Sequence, residues 1–113
     1  MRTLNIEAMG KRIIDEYKRA RLISEISHNS LEPVINDYMV KKGILNYRLF
    51  IDGHNRNVLE VQIVDQYWMF NDTVNLENID RILRIIPYLI ARPDRIPEDG
   101  LGFRRFIKYS RQR

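Results

Sequence analysis

An α+β domain built on an antiparallel sheet is the fold that this sequence predicts, and three observations predict it. Apolar residues step at three and four over the first 42 residues, at two over residues 45–63, and at three and four again from residue 75. Helical, strand and helical periods therefore follow one another along the chain. The two period-two runs are separated only by Asp52, Gly53, His54, Asn55, Arg56 and Asn57, and a connection that short joins antiparallel neighbours. With 113 residues, 44% of them hydrophobic and 30% charged, the chain has ordinary globular usage, so residues 1–113 are expected to form a single domain.

Ile6, Met9, Ile13, Tyr17 and Ala20 give a first helix over residues 6–25 its apolar face, with Asn5 as N-cap. Glu7 with Lys11, Arg12 with Glu16 and Asp15 with Arg19 are opposite charges at i,i+4, a spacing that supports a helix and gives it a solvated outer surface. Ser27, His28 and Asn29 interrupt this pattern. Ser30 then reads as a cap, Pro33 as a first-turn residue and Gly43 as a stop, which predicts a second helix with Leu31, Val34, Ile35 and Tyr38 on its buried side. Lys41 and Lys42 complement the negative end of its dipole and call for no ligand.

Leu45, Tyr47, Leu49 and Ile51 alternate with polar neighbours, as do Leu59, Val61 and Ile63 with Glu60 and Gln62. These are two strands joined by a hairpin whose Asp-Gly loop is somewhat longer than the tightest type. Tyr67, Trp68, Met69 and Phe70 have strand composition, but Asp65 and Gln66 make a poor turn, so this run is either a third strand or an extension of the second. Asn71, Asp72, Thr73 and Asn75 offer caps for a helix carrying Ile79, Ile82, Leu83 and Ile86. Pro87 is expected to kink or end it, or to open a separate turn reaching Ile90. Pro93, Pro97 and Gly100 mark an irregular connector, and residues 101–109 mix aromatic, β-branched and basic side chains as an edge strand does. The expected architecture is a sheet of three to four antiparallel strands with two N-terminal helices and one later helix packed on one face.

The chemistry the residues could carry is narrow. Without cysteine there is no disulfide, thiolate ligand or cysteine nucleophile, a usage at home in a reducing, cytoplasmic compartment. The opening residues lack the apolar core of a signal peptide, and no apolar run reaches the length of a membrane span. The two histidines, His28 and His54, have no metal-like spacing to another ligand. Ser24, Ser27, Ser30 and Ser110 do not sit in a nucleophile elbow, and the five glycines form no phosphate-binding loop. The expectation is a non-enzymatic protein with no catalytic residues, no metal, no cofactor and no small-molecule site.

Two segments stand out as binding surfaces. Tyr67, Trp68, Met69 and Phe70 put two bulky side chains on each face of a strand, and one face of a sheet commonly meets solvent or a partner; Trp, Tyr and Met are enriched in protein interfaces. This favours a protein-interaction module, whether accessory, inhibitory or self-associating, with a homodimer through this strand as one form. The formal charge of +4 is carried by one end: residues 1–99 net to −1, and the basic strand and tail over 101–113 supplies Arg104, Arg105, Lys108, Arg111 and Arg113 with no acid. With Phe103 and Tyr109 these combine cations for phosphates and rings for bases. An accessory protein that binds nucleic acid is therefore the alternative.

Overall fold

The computed structural model describes residues 6–91 and 102–106, with side chains from residue 9 onward. Helix α1 (Ile6–Lys42) is followed by strands β1 (Tyr47–Ile51), β2 (Asn57–Ile63) and β3 (Gln66–Phe70), helix α2 (Ile79–Ala91) and strand β4 (Phe103–Phe106). The strands form one sheet in the order β1-β2-β3-β4, each pair antiparallel. Among the described residues the fold is thus α+β, with four strands and two helices rather than three.

The register explains which side chains are covered. Leu49 faces Leu59, Tyr47 faces Val61, Val61 faces Trp68 and Phe70 faces Phe103, so these residues share one side of the pleat. The core closes over that side, where Leu31, Ile35 and Met39 of α1 and Ile79, Ile82, Leu83, Ile86 and Leu89 of α2 pack against it. Phe70 and Phe103 meet edge to face at 5.1 Å, an arrangement that suits the ring quadrupoles.

The two expected N-terminal helices are one helix of 37 residues, and the reason lies in the residues that looked like a break. Ser30 Oγ donates to the carbonyl of Ile26 at 3.2 Å, so the serine bonds back along a continuing helix instead of capping a new one. Pro33 lies on the exposed side, where the carbonyl left without a donor can turn to water. Pro87 is likewise exposed, and α2 runs through it to Ala91 rather than ending there. Val34, expected to be buried, is exposed, and Met39 takes its place in the core.

Helix α1 stops where expected. Gly43 has φ +71°, its N–H donates to Val40 at 3.1 Å, and the N–H of Ile44 donates to Met39 at 2.9 Å. These are the two bonds of a Schellman cap, completed by the buried pair Met39 and Ile44. At the other turns the outcomes differ. Asp52 organises the β1–β2 loop: its Oδ1 accepts the backbone N–H groups of His54 and Arg56, both at 2.9 Å. The tight bond from the Arg56 amide, with the Arg56 side chain beside it, holds the Asp52 carboxyl below the usual carboxylate range. Tyr67 to Phe70 belong to a separate third strand, reached through Val64 and Asp65, with Val64 at φ +58°. A β-branched residue there is strained. Gly102 opens β4 at φ +81°, and a Cβ on it would stand 2.8 Å from the Phe70 ring, so both the backbone and the space require glycine.

The expected connector at Pro93, Pro97 and Gly100 lies outside the described residues. Among those described, no helix is long and apolar enough to cross a membrane.

Candidate functional site

Helix α1 is about 55 Å long at 1.5 Å per residue, and only its second half has a sheet beneath it. Its hydrogen bonds to the sheet among the described residues come from Arg21, Ser24, His28 and Asn36. Tyr47 donates its hydroxyl to Asn36, and His28 Nε2 donates to the Leu49 carbonyl at 3.0 Å. Because Gln62 donates to the Asn46 carbonyl and Asp52 to the Arg56 carbonyl, the backbone groups of residues 47, 49 and 51 point away from β2. His28 therefore meets an outward carbonyl of the edge strand, and α1 shields that edge.

At the hairpin end Ser24 Oγ donates to the Asn55 carbonyl, and Arg21 reaches the Asp52 carbonyl at 3.4 Å. Asn57, almost wholly buried, donates its Nδ2 to the Ser24 carbonyl at 3.2 Å, while its backbone bonds Thr73 and Val74. Among the described residues this cluster is the last place where the domain holds α1.

From there toward its start the helix is uncovered. Every residue over 11–20 is exposed, and Met9, Ile13, Ile14, Tyr17, Leu22 and Ile23 are half or more open to solvent, Ile13 and Ile23 at 65%, as is Ile26 just past the cluster. The expected apolar face of Met9, Ile13, Tyr17 and Ala20 is there, but no described residue covers it. Ile13 and Leu31 are 18 residues apart, about five turns, and so lie on the same side of the helix. Leu31 is 0% exposed. The molecule measures 66 × 33 × 32 Å, with a radius of gyration of 18.2 Å against about 13 Å for a compact chain of this length. The packed half has already met the cost of nucleation, so each further residue of helix adds a hydrogen bond for one residue ordered.

The two surfaces anticipated from the sequence are placed as follows. Trp68 and Phe70 are core residues, Trp68 at 0% exposure, while Tyr67 and Met69 are half-buried on the opposite face. That outer face carries Arg48, Glu60, Met69 and Arg104 in one cross-strand row. Glu60 is nearly buried and takes a bidentate bond from Arg48 at 3.1 and 3.2 Å, while the Arg48 guanidinium lies 4.1 Å from the Phe50 ring centre. Beside them is a shallow cleft of about 170 Å³ lined by Asn46, Arg48, Glu60, Gln62 and Tyr67. Phe103 is buried, not available to stack on a base. Arg104 and Arg105 are exposed, Arg105 donating to Gln66 at 3.1 Å and lying 5.6 Å from the Trp68 ring centre. Lys108, Tyr109, Arg111 and Arg113 lie outside the described residues. No group of three or more His, Asp or Glu side chains is placed to hold a metal ion among the described residues.

The surface that sequence reasoning missed is the first half of α1, and a signal for it existed. Ile14, Leu22, Ile23 and Ile26 fall off the predicted stripe, so apolar residues surround much more of this helix than a solvated surface helix tolerates. The fold and site thus define an α+β domain with a projecting, apolar helix arm. No family model, no curated protein and no solved structure matches the chain.

Proposed function

We propose that this chain is a small non-enzymatic interaction module, acting in the cytoplasm, that presents the first half of α1 to another polypeptide. One observation carries the reading: six large apolar side chains stand half or more exposed on about four turns of a helix that leaves its domain. Contiguous apolar surface of that kind is costly in a free monomer and is the common mark of a protein contact, and a helix face laid into an apolar groove is a recurrent mode of recognition. The role is accessory, inhibitory or self-associating.

A photoreactive side chain placed at Ile13 or Leu22, and at Arg104 as a control, tests this in the cells that make the protein. Protein adducts at the two helix positions and none at Arg104 support it. Adducts at Arg104 alone overturn it.

A second reading, an accessory protein that binds nucleic acid, is favoured by the outer sheet face. There Arg48 and Arg104 lie among Phe50, Tyr67 and Phe106, cations interleaved with rings. It predicts binding to oligonucleotides that weakens steeply with salt and is lost when Arg48 and Arg104 become glutamine.

A further inference from the structure

Resting on the reading of α1 as an interaction arm, we infer that its occupant is a second copy of this chain, bound antiparallel about a twofold axis near residue 15. The first argument is steric. The uncovered stripe of Ile13, Tyr17 and Ala20 lies on the same side of the helix as Leu31 and Ile35, which the sheet covers. A second α1 running parallel on that stripe meets this chain's sheet at Ser24, and the two hairpins compete for one space. A second α1 running antiparallel carries its own sheet away from this one.

The second argument is register. Setting residue i opposite residue 30 − i stacks Ile13 on Tyr17 of the copy and Gly10 on Ala20 of the copy, a large layer beside a small one, each repeated by the symmetry. In the same register Ile14 lies beside Ile14 of the copy on one flank, and Met9 beside Ile23 of the copy on the other. The copy's first helical residue, at position 6, comes level with Ser24, where the hairpin tip begins. For the described residues, the overlap that fills the layers is therefore also the longest one the hairpins permit.

The third argument is charge. The two Glu16 side chains come together near the axis, each between Arg12 and Arg19 of its own helix. Among the described residues no ion pair within 4 Å engages Glu16, Arg12 or Arg19 in the single chain, so four guanidinium groups are free to surround two carboxylates. The contact is about four turns of helix per chain, small for a permanent dimer, and a concentration-dependent equilibrium is expected.

The chain has no cysteine, which makes the test direct. Sedimentation equilibrium reads the assembly, and single variants Ile14→Cys and Ala20→Cys read its geometry under mild oxidation or with a short bis-maleimide. In the antiparallel arrangement the two Ile14→Cys sites lie about 3 Å apart along the axis and cross-link, whereas the two Ala20→Cys sites lie about 15 Å apart and do not. Tyr17→Glu, which buries a carboxylate in the layer, weakens the dimer by at least about 100-fold. Efficient cross-linking through Ala20→Cys but not Ile14→Cys overturns the antiparallel arrangement. A wild-type chain that stays monomeric at every concentration, with no cross-link in either cysteine variant, overturns the second copy. In that last case, unchanged thermal stability of the Tyr17→Glu monomer leaves the interaction arm standing for another polypeptide, and a large loss of stability removes both.

Discussion

The two halves of α1 have the same helical period and nearly the same apolar content, yet one is core and the other is surface. Leu31 and Ile35 are covered by the sheet, while Ile13 and Tyr17, on the same side of the same helix, are open to water. What separates them is the length of the β1–β2 hairpin, whose tip reaches only to Arg21 and Ser24. Periodicity in a sequence reports that a face asks for cover. It does not report which chain supplies it.

The strongest way to break this comparison is to truncate one residue in each half. Leu31→Ala should cost the fold about 3 kcal/mol, the usual figure for a fully packed leucine that leaves a cavity. Ile13→Ala should cost less than about 0.5 kcal/mol in the monomer. Urea unfolding at low protein concentration measures both, and equal losses would mean that the first half packs on its own domain after all.

The boundary between the halves can be weakened next. Asn57→Ala removes the buried amide that reaches the Ser24 carbonyl and should cost about 1–2 kcal/mol, with faster hydrogen exchange in α1 around Ser24 and His28. Unchanged exchange there would show that the helix is held by apolar packing alone.

A smaller change sharpens the contrast in the opposite direction. Gly10 sits in the projecting half, with nothing within 4 Å of where a Cβ would stand, so Gly10→Ala should stabilise that half locally by about 0.5–1 kcal/mol. Circular dichroism should register more helix while the urea midpoint of the domain stays where it was.

The least effect concerns pH at the hairpin tip. Asp52 titrates below its unfolded value in the fold, so its contribution is complete above the ordinary carboxylate range and is lost as pH falls through the lowered value. The amides of His54 and Arg56 should lose protection on acidification, after correction for intrinsic exchange rates, and Asp52→Asn should abolish that pH dependence.

The sheet was legible in the sequence because its signals are local. Period-two runs and an Asp-Gly turn give β1 and β2 almost residue by residue, and Gly43 gives the end of α1. The errors share a different origin. Ser30, Pro33 and Pro87 look like punctuation, yet each sits on a solvent-facing side where a helix tolerates it. Val64 hides the turn before β3 because a β-branched residue seldom takes positive φ. In the candidate site, the residues themselves were visible as a stripe from Met9 to Ala20, but their exposure depends on how far a hairpin reaches from thirty residues away, and no window of sequence contains that distance.

The cluster of Ser24, Asn55 and Asn57 also acts as the fulcrum of a lever. Some 18 residues of stiff helix extend beyond it, about 27 Å, so a tilt of about 10° at that point swings the start of α1 sideways by nearly 5 Å. A few side-chain bonds between one helix turn and one hairpin tip thus set the direction of the whole arm, and on the proposed reading mutations at the pivot should redirect binding without touching the arm's apolar residues.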